Sequence, residues 1–211
     1  MTPEKTTLRI DWATAKAARF ACFNWHYSKK MPVNKLAKLG VWENDKFRGV
    51  IIFGLGASAQ VHKQFGVEAT QCCELVRVAL GNHKHTVSRM ISIAAKILKK
   101  ENNGLRVIVS FADPNENHHG GIYQAGNWIY TGMSAMTTEY YFNGDWRHVT
   151  DVYKRTSSDN VKKLHSRKKA GKHRYVMPLD ASMREQVLPL SKPYPKRSKQ
   201  AMAGTTGTAT G

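Results

Sequence analysis

The hydrophobic period of this chain changes sharply between Thr86 and Phe111, and that change limits the folds open to it. From Thr86 to Lys100, the residues Val87, Met90, Ile91, Ala94, Ile97 and Leu98 fall on one stripe of a helix. Gly104 ends the helix. Leu105–Phe111 is then a β-branched run of the kind that makes a buried strand, and Asp113-Pro114 breaks it. A helix with one apolar stripe beside a buried strand calls for a layered α/β domain.

The rest of the chain repeats that mixture. Thr7–Asp11 reads as a short strand and Ala13–Asn24 as a helix, with Asp11 or Thr14 as its cap. Leu36–Glu43 and Arg48–Leu55 are two β-rich runs around Asn44-Asp45-Lys46, a hairpin signal. Ala69–Leu80 contains another strand. Asn117–Ala125 reads as a short helix and Trp128–Met133 as a strand. Glu139–Phe142 and Trp146–Val152 form a last hairpin around Asn143-Gly144, a type I′ pair. The expected architecture is a mixed central sheet flanked by helices.

Charge narrows the partners. The 211 residues carry 33 Lys+Arg against 15 Asp+Glu, a net +18. Residues 151–211 hold +10 of this, the longer stretch 1–150 only +8. The densest part runs from Lys162 to Tyr175 and includes Lys163, Arg167, Lys168, Lys169, Lys172 and Arg174. A surface like this attracts a polyanion, and these six are the expected phosphate contacts. A solvated loop with no partner is the alternative. No apolar run is long enough to span a membrane, and the first residues lack the apolar core of a secretory signal. Cys22, Cys72 and Cys73 make no disulfide framework and read as reduced thiols. Val176–Leu179 is expected to dock on the core. The stretch after Leu190, rich in Pro and then in Gly, Thr and Ala, reads as a disordered tail over 191–211.

Several residues carry possible chemistry. Asp113 lies just past a buried strand, where open α/β sheets place their functional crevice. It reads either as a base or orienting group for an amine, or as the cap of a turn. Arg77 sits among apolar strand neighbours, buried with a carboxylate partner or turned to solvent. Tyr123 on its short helix is an acid or a core aromatic. Tyr27 in a polar-aromatic loop suits stacking on a base. His26 is the most plausible metal ligand, although a metal needs several.

The element order is similar to that of the GNAT acyltransferases. In that fold the fourth strand, here within Glu74–Leu80, runs into a loop and helix that hold the pyrophosphate of acyl-CoA. A fifth strand, here Val107–Asp113, splays away, and a short helix carrying a Tyr follows. The loop Gly81–Ser88 departs from the usual glycine-rich acyltransferase pattern, while Thr86, Val87 and Ser88 at the helix N-terminus retain free N–H groups for an anion. A closer resemblance covers residues 20–180. His26-Tyr27-Ser28, Glu74-Leu75-Val76-Arg77, Ser88, Ser110-Phe111-Ala112-Asp113 and Gly121–Gly126 together resemble the Mom family of bacteriophage DNA-modification proteins.

That resemblance implies a GNAT-like catalytic domain over 1–155, with a basic segment over 156–190 docking on it. It implies conversion of adenine in DNA to N6-carbamoylmethyladenine in the host cytoplasm, protecting phage DNA from restriction. By motif, the site falls on Tyr27, Arg77, Asp113 and Tyr123, with His26 and Ser88 beside them. DNA is the implied partner. The donor stays open among acyl-CoA, a glycine-derived donor such as a charged transfer RNA, and an iron-assisted route. An acetyltransferase for another amine and a non-catalytic nucleic-acid-binding protein are the competing readings.

Overall fold

Two tight turns set strand register at either end of the chain. In the computed structural model, which describes residues 6–33, 35–55 and 60–196, Asn44 and Asp45 take φ of 47° and 59°, and Asn143 and Gly144 take 53° and 82°. Positive φ at both central residues is the type I′ turn, whose twist matches paired strands. In chain order the first half comprises β1 (Leu8–Trp12), α1 (Ala15–Trp25), β2 (Leu36–Glu43), β3 (Lys46–Gly54), β4 (Cys72–Leu80), α2 (Val87–Glu101) and β5 (Val107–Ala112). There follow α3 (Gly121–Gln124), β6 (Ile129–Met133), β7 (Thr137–Phe142), β8 (Asp145–His148), α4 (Val149–Tyr153), α5 (Ser158–Lys162), β9 (Ser166–Lys169), β10 (His173–Pro178) and α6 (Ala181–Val187).

Seven strands form the central sheet in the order β1-β2-β3-β4-β5-β10-β6. Every neighbouring pair is antiparallel except β4 and β5, which run parallel. Alternation sorts the side chains into layers. Ile51 and Phe53 meet the stripe of α2, where Met90, Ile91, Ala94 and Ala95 are buried. Val50 and Ile52 turn the other way, onto Ala18, Ala21 and Cys22 of α1. On that second face, further along the sheet, Val107, Val109 and Val176 pack on Met183 and Val187 of α6. Thr14 settles the choice of cap for α1, its hydroxyl accepting from the Ala17 N–H at 3.2 Å; such a cap contributes ~1 kcal/mol.

Three elements differ from expectation. The short helix spans only Gly121–Gln124, because Asn117 adopts a left-handed φ of 56° and Gly120 one of 85°. The last hairpin ends at His148, whose Nδ1 accepts from the Thr150 N–H and caps α4. The basic stretch, for which no strand was expected, forms β9, the edge of a second sheet of order β8-β7-β9. Beyond it, β10 enters the central sheet between β5 and β6. Arg167 and Lys169 both hold Glu139 (2.7 and 3.3 Å), and Arg167 lies over the Trp146 ring.

The chain that leaves β10 stays on the sheet as far as it is described. The Lys192 N–H donates to the Tyr130 carbonyl and the Tyr194 hydroxyl to that of Trp128. The remainder of the expected tail, 197–211, lies outside the described residues. Among the described residues no helix is long and apolar enough to cross a membrane.

Candidate active site

β4 and β5 pair only from Cys72–Glu74 against Val107–Val109. Beyond that point they splay. β4 stays on β3 while β5 stays on β10, with Ser110 opposite Tyr175 and Ala112 opposite His173. The gap opens into a cleft of ≈ 1030 Å³, walled by Glu74–Val78 on one side and Phe111, Ala112 and Glu116–Tyr123 on the other. Trp25, His26, Tyr27 and Lys172 complete its lining.

The apex of the splay is closed by side chains. Ser110 Oγ lies 2.8 Å from both the Leu75 carbonyl and the Tyr123 hydroxyl. A carbonyl can only accept, so the Ser110 proton goes to Leu75, and Tyr123 donates to Ser110. The Tyr123 ring is buried between Trp128 and Tyr175, with centroids 5.1 Å away on each side. Burial pushes its pKa up to about 12. Tyr123 therefore keeps its proton at neutral pH and can serve as an acid but not as a base. Gly120 makes this placement possible, since a Cβ there would stand 2.2 Å from the Tyr175 ring.

Arg77 enters the cleft through a bulge. Between Ile52 and Phe53 of β3, the partner on β4 jumps from Arg77 to Leu75. Val76 and Val78, which would share a face of a regular strand, consequently pack on opposite sides of the sheet. Arg77 donates through Nη1 to the Val76 carbonyl at 2.8 Å, while its buried Nε has no hydrogen-bond partner among the described residues. That unsatisfied donor on a lasting positive charge suits an anionic or carbonyl ligand group.

His26 and Tyr27 follow α1 to the cleft. The Tyr27 ring is half exposed, 4.3 Å from His26 and edge-on to His118 at 5.4 Å. His26 Nδ1 accepts from the Ser28 N–H at 3.1 Å and lies 2.8 Å from the Ser28 hydroxyl. Its single neutral-state proton therefore resides on Nε2, leaving no free lone pair for a metal in this hydrogen-bonded state. Among the described residues no three His, Cys, Asp or Glu side chains gather as a metal ion needs. An iron centre does not fit these residues.

Burial, with help from Arg77 and His118, lowers the His26 pKa from 6.5 to about 4. The unfolded chain thus takes up this proton first. The stability that depends on the neutral ring is complete above pH 6.5 and is lost as pH falls from there toward 4. The wild type is expected to lose more stability between pH 7 and pH 4.5 than a His26→Asn variant in parallel denaturant titrations. Equal losses would mean that His26 titrates like an exposed histidine.

Asp113 is buried beside the cleft but does not line it. Its Oδ1 accepts from the Asn115 backbone and side-chain N–H groups at 3.0 and 2.7 Å, capping the turn over Pro114–Glu116. Its Oδ2 lies 3.2 Å from Lys172 Nζ. Burial works to raise its pKa, yet the Asn115 donors and the Lys172 ammonium outweigh burial and hold it below the usual value. Asp113 therefore reaches the cleft through Lys172, which lines it, and through the turn that brings His118 to Tyr27. Gly171 lets Lys172 sit there, because a Cβ on it would meet the Ser134 carbonyl at 1.9 Å.

The other expected residues lie elsewhere. Thr86, Val87 and Ser88 begin α2, away from the cleft lining, and the Thr86 side chain makes no cap bond. In the loop ahead of them, the Lys84 and His85 N–H groups donate to Glu43 at 2.7–2.9 Å. Two N–H groups of the loop that leads into that helix therefore already hold a carboxylate and are not available to an acyl-CoA pyrophosphate. Arg174 is tied to Thr131 and Gln64. Lys163 and Lys168 are exposed and, among the described residues, have no carboxylate partner. Sequence reasoning assigned no role to Glu74 or Ser110, although both lie in the motifs it quoted.

Methylcarbamoylase mom of Escherichia phage Mu is 27% identical over 203 residues, covering 90% of this chain and 84% of that protein. A Bacillus subtilis acetyltransferase in complex with CoA has a TM-score of 0.48 at 14% identity, covering 83% of this chain and 100% of the other. An N-acyl amino acid synthase from uncultured soil microbes has a TM-score of 0.45 at 12% identity, covering 86% and 94%. The Mom protein family model matches residues 7–196, from just before the first strand to the last described residue, and the chain belongs to that family.

Proposed function

We propose that this chain is a transferase that modifies DNA, converting adenine to N6-carbamoylmethyladenine on a flipped or single-stranded base. One observation carries the reading beyond family membership. The ≈ 1030 Å³ cleft has a protonated tyrosine at its apex, an arginine with an unsatisfied donor on its wall and a half-exposed tyrosine at its edge. Its volume is at the top of the range of about 300–1,000 Å³ typical of ligand pockets, which leaves room for a purine and a small donor together.

The roles follow from the geometry. Tyr27 stacks on the extruded adenine, with His118 fixing the ring. Arg77 draws in the carbonyl or anionic end of the donor. Tyr123 gives its proton to the leaving group while the adenine N6 forms its bond to carbon. Glu74, which lines the cleft, accepts the proton that N6 releases, and Asp113 holds Lys172 at the rim. Extruding a base costs a few kcal/mol, which phosphate contacts offset. Modified phage DNA inside the host cell would then resist restriction.

Nucleoside mass spectrometry on plasmid DNA from cells expressing the chain tests this reading. Deoxyadenosine carrying a carbamoylmethyl group is expected with the wild type and not with Asp113→Ala. Unmodified DNA from cells that make soluble wild-type protein would sink it.

The exposed lysines supply a separate expectation. Lys163→Ala and Lys168→Ala should each weaken DNA binding without regard to sequence. Each should also reduce the slope of log K against log salt by about 0.9, the value for one phosphate contact on duplex DNA. Fluorescence anisotropy across a salt series measures it, and an unchanged slope removes that lysine from the interface. Arg174→Ala is expected to lower stability rather than the slope, because its guanidinium is already engaged inside the protein.

A further inference from the structure

Glu43, the last residue of β2, is 1% exposed, and a carboxylate so deep needs compensation. The compensation comes from the loop ahead of α2, forty residues on. Both Glu43 oxygens accept from the Lys84 N–H at 2.9 Å, and Oε1 also accepts from the His85 N–H at 2.7 Å. Arg48 Nε stands 3.6 Å from Oε2. The loop is pinned further by the Gly81 N–H on the Arg48 carbonyl and by His83 Nδ1 lying 2.8 Å from the His85 carbonyl. Two adjacent backbone N–H groups and a guanidinium around one charge are the elements of an anion site. Here the anion is part of the chain.

We infer that the Glu43 carboxylate is a built-in anion that closes the loop ahead of α2 to a diphosphate, so that the donor is recognised in the β4/β5 cleft and not through a coenzyme A nucleotide on that loop. Thr86 follows His85 directly. A diphosphate laid on the first turn of α2 would therefore approach a fixed negative charge whose hydrogen-bond donors are already committed. Burial works to raise the Glu43 pKa, but the His85 and Lys84 N–H groups, His85 and Arg48 outweigh it and hold the carboxyl below its usual value, so the group is charged at neutral pH. The cleft has cations of its own in Arg77 and Lys172. This inference rests on the loop geometry and is independent of which base is modified.

The test is a titration of the full-length wild type with coenzyme A and with inorganic pyrophosphate, following the backbone amide resonances of Lys84 and His85. Neither ligand is expected to move those resonances. Coenzyme A binding seen by calorimetry with both amides unmoved would support the inference, because it places the nucleotide elsewhere. A saturable shift of both amides with either ligand would overturn it. Hydrogen exchange supplies a second reading. Exchange at Lys84 and His85 should be about tenfold or more faster in Glu43→Gln, as expected for losing bonds to a charged acceptor. Equal exchange in the two proteins would overturn the claim that the carboxylate holds the loop. Should Glu43→Gln fail to fold, the wild-type titration still decides. Neither experiment bears on the adenine reading, which the nucleoside analysis tests.

Discussion

Replacing Tyr123 with Phe is expected to reduce the proposed adenine modification by about 10²–10⁴-fold, the usual contribution of a positioned proton donor. The ring stays where it is. Trp128 and Tyr175 flank it at 5.1 Å, and neither contact involves the hydroxyl. Ser110 keeps its bond to the Leu75 carbonyl. Only the hydrogen bond between Tyr123 and Ser110 is lost, at a cost of about 1 kcal/mol. For a domain of this size that lowers the melting temperature by only about 2–4 °C. Timed nucleoside analysis with matched protein levels measures the rate, and a melting curve controls for folding. A rate within a few-fold of wild type would leave Tyr123 as a packing residue. Because its pKa is pushed up to about 12, an alkaline fall in rate below pH 10 would belong to another group.

The largest loss of stability is expected from Tyr175→Ala. This residue of β10 is fully buried and lies 5.1 Å from Tyr123, 5.2 Å from Tyr130 and 6.3 Å from Tyr194. Its hydroxyl donates to the His119 carbonyl and accepts from Gln124 Nε2 at 3.0 Å. Truncating a buried aromatic to Ala costs about 3–5 kcal/mol, and with about 2–4 °C lost per kcal/mol the melting temperature should fall by about 6–20 °C. Tyr175→Phe should lose much less, since it keeps the ring and gives up only the hydroxyl bonds. Thermal unfolding of both variants checks this. A fall of only a degree or two for Tyr175→Ala would mean that β10 does not hold the sheet together.

These two residues show how unevenly the chain could be read. Tyr123 stood in a motif whose family resemblance implied a role. Tyr175 stood at the end of the basic run read as phosphate contacts and carried no sign of a place in the core. Its place in the core follows from β10 entering between β5 and β6, which sets Tyr175 opposite the distant Ser110 and Tyr130. Arg174 and Lys169 changed meaning for the same reason. Read in sequence they are two more cations of a phosphate-binding stretch. In the fold, one ties β10 to Thr131 and the other holds Glu139.

Local information determined α1 and α2, the two type I′ turns, the alternation of the strands and the excess positive charge. Each depends on residues within a turn or a few positions of one another. The order of motifs carried the family resemblance, and with it Tyr27, Arg77 and Tyr123, all of which meet in the cleft. Tertiary structure decided the rest. The early parting of β4 and β5 makes the cleft, and the bulge beside Val76 puts Arg77 on its wall. The position of Lys172 turns Asp113 from a lone carboxylate into half of an ion pair. Glu43, an ordinary strand-end residue by sequence, becomes a buried charge because a loop forty residues away brings its N–H groups to it. What a titratable group does depends on its burial and on the donors and charges around it, and in this chain those neighbours are supplied by distant segments.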